Sequence, residues 1–237
     1  MLDFGFYNAD CMDGMKMFPD GYFDLAICDP PYGDALNTEQ SDGPTYPQRF
    51  GGAGSRFERY KREPAVERTG RQWAAKYGKK IVEWDVAPGE EYFKELFRVS
   101  RNQIIWGGNY FNLPPTRCFV VWRKTNIPLK GFTMAPAEYA WTSFNRNAVV
   151  LEASSVGTKN DPRFHPTSKP IKLYEELLER FANKGDKILD THVGSGSSLI
   201  ACERMGFKYV GFEIDKIYYD LANTRIREQT AQVRMEL

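Results

Sequence analysis

An aspartate, two prolines and a tyrosine stand in a row at Asp29-Pro30-Pro31-Tyr32, and these residue types have the chemistry to handle a planar amine. Two consecutive prolines stiffen the backbone and donate no N–H. The Pro30 carbonyl and the Asp29 carboxylate can therefore present acceptors to an –NH2 group, while Tyr32 offers a flat face for a ring. An aromatic amine is a poor nucleophile because its lone pair is delocalised into the ring. Two fixed acceptors can draw the nitrogen towards tetrahedral geometry, aim its lone pair at an electrophile and stabilise the positive charge that develops. By itself the tetrapeptide suits a strand-terminating turn with a packed tyrosine equally well.

A second constellation lies far along the chain. Ile188-Leu189-Asp190-Thr191-His192-Val193-Gly194-Ser195-Gly196-Ser197 follows a strand-like run and precedes a helix-like one. Glycines there let the backbone pass close to a ligand at the helix N-terminus, where free N–H groups point outward. About twenty residues further on, Glu213 at the tip of the next strand is placed to accept hydrogen bonds from two ribose hydroxyls. Together these residues describe a nucleoside-cofactor pocket. The dinucleotide fingerprint would need a third glycine directly after Ser198, and none stands there, so a nicotinamide pyrophosphate site is disfavoured.

The elements that must position both groups are clearest in the last third. The pattern predicts a helix from Pro170 through about Ala182, with Ile171, Tyr174, Leu177, Leu178 and Phe181 on one face and proline at its favoured first position. Lys187–Leu189 reads as a strand, Gly194–Gly196 as a turn, Ser197–Met205 as a helix ended by Gly206, Tyr209–Phe212 as a strand and Lys216–Gln229 as the final helix. That βαβα order implies an α/β fold with a mostly parallel twisted sheet and right-handed crossovers. Asp24–Cys28, stopped by Pro30 and Pro31, reads as a buried parallel strand. Glu90–Val99 has helical spacing and leads into the strand-like Gln103–Trp106. Phe119–Trp122 and Glu138–Phe144 read as further strands, the first interior and the second alternating.

The length of 237 residues suits a single domain, 1–237. No apolar run approaches the roughly 18 residues of a membrane helix, and the start lacks the layout of a signal peptide. Cys11, Cys28, Cys118 and Cys202 stand alone, as thiols of a reducing compartment do. With His165 and His192 the only histidines, no zinc-ligand spacing exists and no metal is expected; the cytoplasm is the expected location. The net charge is +1, yet Arg49 to Lys80 carries ten basic residues against three acidic ones, leaving the remainder acidic. The region 34–80, poor in periodicity, is expected to be a basic and mobile insertion, either a phosphate-contacting surface or a solvated loop.

With these motifs in view, the chain resembles the DNA amino-methyltransferases, which modify adenine N6 or cytosine N4. Asp29-Pro30-Pro31-Tyr32 is similar to their catalytic Asp-Pro-Pro-Tyr, and Asp190 to Ser197 to their Asp-Pro-Phe-x-Gly-Ser-Gly-Thr cofactor turn. His165-Pro166-Thr167-Ser168-Lys169-Pro170 resembles their His-Pro-Thr-x-Lys-Pro segment. The catalytic motif comes first, the permuted order of the β group. The resemblance implies a Rossmann-like class I methyltransferase fold with helices on both faces of the sheet, and S-adenosylmethionine as cofactor. It implies that Asp29, Pro30, Pro31 and Tyr32 are catalytic. It further implies that Asp10, with Cys11 beside it, meets the cofactor's adenine amino group. Thr167, Ser168 and Lys169 would hold the methionine end with Asp190, Gly194, Ser195, Gly196 and Ser197, and Glu213 the ribose. A surface turn at Asp10, and a helix N-cap at Thr167 or Ser168, are the competing structural readings.

Three positions depart from the family pattern: Thr191, His192 and Ser197 stand for Pro, Phe and Thr, and His192 reads as a packed structural histidine. Ser143–Arg163 is short where the family carries its target-recognition region, so either little sequence is read or Ala35–Lys80 reads it. The implied reaction is direct methyl transfer to the adenine N6 of DNA, in a restriction–modification setting, with the target base flipped out of the duplex. Asp at position 29 favours adenine over cytosine N4. Methylation of an RNA or protein amine, and a non-catalytic DNA-binding module, are the further alternatives. A homodimer is compatible with the resemblance alone.

Overall fold

The computed structural model describes residues 2–32, 86–129, 135–158, 161, 165 and 167–234. The chain separates into two units, Met1–Pro30 with Pro88–Leu237, and Pro31–Ala87. The basic region 34–80 falls in the second and outside the described residues.

In the first unit one sheet is built from β1 (Gly5–Asn8), β2 (Phe23–Cys28), β3 (Ser100–Trp106), β4 (Phe119–Lys124), β5 (Ala137–Thr142), β6 (Val149–Ala153), β7 (Lys187–Asp190) and β8 (Lys208–Glu213). Their order across the sheet is β1-β8-β7-β2-β3-β5-β4-β6. The run from β1 to β3 is parallel, β5 is antiparallel to β3 and to β4, and β4 and β6 run parallel. The helices are α1 (Cys11–Met15), α2 (Glu90–Val99), α3 (Ile171–Phe181), α4 (Ser197–Met205) and α5 (Lys216–Arg234).

Because side chains alternate along a strand, the sheet feeds two cores. Leu25 and Ile27 of β2 pack with Leu173 and Leu177 of α3 and with Leu199 of α4. Ala26 and Cys28 face the other way, towards Met15 of α1 and Tyr92 and Leu96 of α2, and Phe23 at the start of the strand joins that second cluster. The amphipathic stripes of α2 and α3 are thus the two lids of one sheet. Each fully buried leucine or phenylalanine there contributes about 1.5–3 kcal/mol of apolar burial.

Where the spacing was strong, elements lie where the sequence places them: α2 spans Glu90–Val99 and α4 spans Ser197–Met205, closed by Gly206 at φ 74°. Three short elements, β1, α1 and β6, escape the sequence reading. The four residues of β1 are only half-buried or exposed, so period alone carries little signal, and pairing with β8 defines the strand. The characters of two strands are exchanged: β4 alternates between buried and less buried positions, while β5 ends in three consecutive buried residues. Helix α3 begins one residue later than expected, with Pro170 as its N-cap. Neither Thr167 nor Ser168 caps it. Thr167 Oγ1 lies 3.2 Å from His165 Nδ1, and Ser168 donates to Ser195 Oγ at 3.0 Å.

Candidate active site

The chain changes direction across the sheet between β7 and β2. From β7 it crosses through α4 to β8 on one side, whereas β2 leads to β3 on the other. Crevices at such switch points, beyond the carboxyl ends of the strands, are where open α/β sheets bind ligands. Leu25 and Ala26 of β2 pair with Ile188 and Leu189 of β7, so Asp29 and the Asp190–Ser197 turn leave the same edge on adjacent strands. Asn8 pairs with Glu213, which brings Asp10 and Glu213 to that edge as well.

Gly194 and Gly196 adopt left-handed φ values of 53° and 80°. A Cβ on Gly194 would lie 3.2 Å from the His165 ring, and one on Gly196 would lie 3.2 Å from Ile226. Gly196 is the N-cap of α4 and provides no side-chain cap, leaving the helix N-terminus open in the manner of an anion- or ligand-binding turn. Around it Ser168 and Lys169 are stitched in place. Ser197 donates to the Lys169 carbonyl at 2.6 Å, and Arg225 donates to the Ser195 carbonyl at 2.6 Å and to Ser197 Oγ at 2.8 Å. Arg225 is itself gripped by Asp161 through bonds of 2.6 and 2.7 Å. Glu213 accepts from the backbone N–H of Gly194 and of Asp215, each at 2.9 Å, so its carboxylate is fixed at the mouth of the turn. Asp190 is buried and accepts from His192 N at 3.0 Å and from the Ser198 hydroxyl. Burial pushes its carboxyl up to about 7.

Asp29 belongs to a chain of charges. Lys169 Nζ lies 2.5 Å from Asp29 Oδ2 and 3.3 Å from Glu138 Oε2, and Lys124 Nζ lies 2.6 Å from Glu138 Oε1. Lys169 is 4% exposed and sits over the Trp106 ring, 5.0 Å from its centre. Burial works against its charge, but Asp29 and Glu138 outweigh it and hold the ammonium above the ordinary lysine value. Burial likewise opposes the charge of Glu138, and Lys169 and Lys124 overcome it, so that carboxyl lies below its usual range. The four side chains alternate in sign and sum to zero.

Pro30 is buried, while Pro31 and Tyr32, both half-buried, open the second unit. Asp10 is exposed and caps α1, accepting from Met12 N at 2.7 Å. Burial pushes the thiols of Cys11 and Cys28 up to about 12, which keeps both protonated and unsuited to nucleophilic attack. The His192 ring falls to about 4 because burial outweighs the pull of Asp10; it packs edge-on to Tyr92, whose hydroxyl lies 2.6 Å from Thr191 Oγ1. Sequence reasoning passed over Lys124, Glu138, Asp161 and Arg225. Two signals were available: charges inside strand-like runs, and an arginine on the Ala222–Ile226 face of the last helix. Among the described residues no group of three or more His, Cys, Asp or Glu is placed to hold a metal, and no helix is long and apolar enough to cross a membrane. A pocket of about 380 Å³ is lined by Gln103, Trp141 and Thr142, and Asp29 is not among its lining residues.

The family model for N6/N4 methyltransferases, described as DNA methylase, matches residues 58–224. The chain belongs to this DNA methylase family. Type II methyltransferase M.HpaI of Haemophilus parainfluenzae is 39% identical over 62 residues, which are 26% of this chain and 20% of that protein. The chain therefore matches about a fifth of the length of that relative. YubD of Escherichia coli strain K12 is 23% identical over 238 residues, covering 93% of this DNA methylase and 89% of YubD. Among solved structures, the M1.HpyAVI–SAM complex superposes with a TM-score of 0.51 at 18% identity, covering 93% of this chain and 98% of that one. That likeness is one of fold: a class I methyltransferase sheet.

Proposed function

We propose that this DNA methylase transfers the methyl group of S-adenosylmethionine to an exocyclic amino group in DNA, that of adenine at N6. One observation carries the reading: Asp29 and the glycine turn leave adjacent strands at a topological switch point, tied together through Lys169, which bonds Asp29 by its side chain and Ser197 by its carbonyl. The residues fit the cofactor. Gly194 and Gly196 give the turn left-handed φ values that L side chains rarely adopt, α4 starts without a side-chain cap, and Glu213 stands fixed at the end of β8. Gly194, Ser195, Gly196, Ser197 and Glu213 would hold it, with Asp10, Cys11, Thr167, Ser168, Lys169 and Asp190 around them. When bound, S-adenosylmethionine supplies an electrophilic methyl group on a positively charged sulfur.

The rest falls to the protein's own side chains. Asp29 and the Pro30 carbonyl accept from the target amino group, localise its lone pair and stabilise the charge that grows on nitrogen. Tyr32 stacks on the base, which must leave the duplex for its amino group to be reached. Burial keeps the thiols of Cys11 and Cys28 protonated, which favours direct transfer over attack by either thiol. Adenine is favoured by the aspartate at position 29. The basic segment 34–80 contacts phosphates.

The test is incubation with methyl-labelled S-adenosylmethionine and assorted duplex DNA, followed by nucleoside analysis. N6-methyladenine is expected, and N4-methylcytosine instead would overturn the choice of base. Asp29→Ala is expected to lower the single-turnover rate by about a hundredfold or more, as loss of a transition-state contact does. Transfer at an unchanged rate would defeat the catalytic assignment.

A further inference from the structure

The charge chain reaches beyond the motif residues. Glu138 comes from β5 and Lys124 from β4, on the far side of β3 from the glycine turn. Both are tucked under the edge that carries Asp29, with side chains 29% and 10% exposed. No family motif named above includes either residue. A buried ion pair on an antiparallel flank contributes little net stability, because desolvation offsets attraction. Its position is more telling. Glu138 is the second carboxylate on Lys169, at 3.3 Å against 2.5 Å for Asp29.

We propose that Glu138, itself held by Lys124, is a positioning residue for methyl transfer: it shares the Lys169 ammonium with Asp29 and so sets how firmly Lys169 grips the carboxylate that meets the target amine. This rests on the assignment of Asp29 as the group that accepts from the base. A carboxylate held by an undivided ammonium is a weaker acceptor, because its electron density is already committed. One held by no ammonium is free to rotate and titrates higher. The Glu138–Lys124 pair places Asp29 between these limits.

Among the described residues, the charged and titratable groups bearing on the Asp29 corner include Lys169 before α3, Tyr174 on α3, Glu138 on β5, Lys124 on β4, Cys28 on β2 and Asp190 on β7. Removing the negative charge at 138 makes ionisation of Asp29 easier. Removing the positive charge at 124 makes it harder, because Glu138 then draws on Lys169 alone. The two substitutions must displace the acid limb in opposite directions, which loss of folding cannot imitate.

The experiment is single-turnover methyl transfer to duplex DNA from pH 4.5 to 9 by the wild type, Glu138→Gln, Glu138→Asp and Lys124→Gln. The Asp29 carboxyl titration is followed in parallel by carbon NMR, assigned through Asp29→Asn. For Glu138→Gln the expected result is a plateau rate lower by about tenfold, equivalent to roughly 1.4 kcal/mol, with DNA and cofactor affinities within about twofold and the Asp29 titration moved to lower pH. Glu138→Asp should restore the titration, and Lys124→Gln should move it upward. If Glu138→Gln does not fold, the upward displacement by Lys124→Gln and its reversal in Lys124→Arg decide the matter. An Asp29 titration unmoved by the variants that fold overturns the proposal, as does a wild-type plateau in Glu138→Gln. Undiminished transfer by Asp29→Asn would instead overturn the assignment of Asp29.

Discussion

Asp190 shows how one buried carboxyl couples the site to pH. It is 2% exposed, and burial lifts its carboxyl from 3.8 to about 7 against the hydrogen bonds from Ser198 and His192. A carboxyl whose folded value lies above its unfolded one binds protons more tightly in the native state. Its stabilising contribution is complete below about 4 and is lost as pH rises through about 7. Asp190→Asn removes this component. Urea unfolding at intervals between pH 4.5 and 8 is therefore expected to show a stability that falls with pH less steeply in the variant than in the wild type. An identical pH slope in both would mean that Asp190 is ionised throughout that range. His192, lowered by burial from 6.5 to about 4, adds a component of opposite sign between those values that both proteins share, so the difference between variant and wild type reports Asp190. Neutral above about 4, its ring serves as a flat packing surface, as expected of a histidine at an aromatic position of the turn.

At the scale of elements, the feature that matters is how closely α4 lies on the sheet. The dinucleotide fingerprint uses its third glycine for that contact, and here Leu199 occupies the position. The space comes instead from the strand. A Cβ on Gly211 of β8 would stand 2.8 Å from Val193 and 2.9 Å from Leu199, so helix and strand approach over a bare backbone. Gly211→Ala is expected to cost about 1–3 kcal/mol, as overpacking of a close-packed core does, and to weaken cofactor binding by displacing the turn. Thermal denaturation and calorimetric titration with S-adenosylmethionine measure both effects. Unchanged stability would show that α4 can withdraw freely. Arg225 secures the same turn from α5, with Asp161 locking the guanidinium plane.

For the molecule as a whole, the sheet order brings every motif to one edge. Glu213, Asp190 and Asp29 end or follow strands that are neighbours in the series β8-β7-β2, and Asp10 follows the next strand outward, β1. If the proposed function holds, the basic segment between Arg49 and Lys80, with ten basic residues against three acidic ones, is the expected source of cations for DNA phosphates. Affinity for duplex DNA is therefore expected to fall steeply with salt. Six to ten phosphate contacts would lose roughly 10³–10⁵ in binding between 50 and 200 mM salt. Fluorescence anisotropy across that range, with the wild type and with Arg59, Lys61 and Arg62 replaced by glutamine, measures the slope. A slope unaltered by the triple replacement would remove these three residues from the interface.

By itself the sequence determined the parallel strands β2, β3, β7 and β8, helices α2 to α5 and the residue types of both motifs. These features are encoded locally, in apolar periodicity, in glycines that permit left-handed turns and in prolines that stop a strand. The Asp-Pro-Pro-Tyr corner and the glycine turn were each legible as separate objects. Tertiary structure decided what lies beside what. The short elements β1, α1 and β6 carry too few residues for periodicity to register and exist through their neighbours. The pairing of Asp29 with Lys169, and of Lys169 with Glu138, has no sequence signature. Attraction between buried opposite charges acts through space, and strand order, which no local pattern encodes, sets which charges meet.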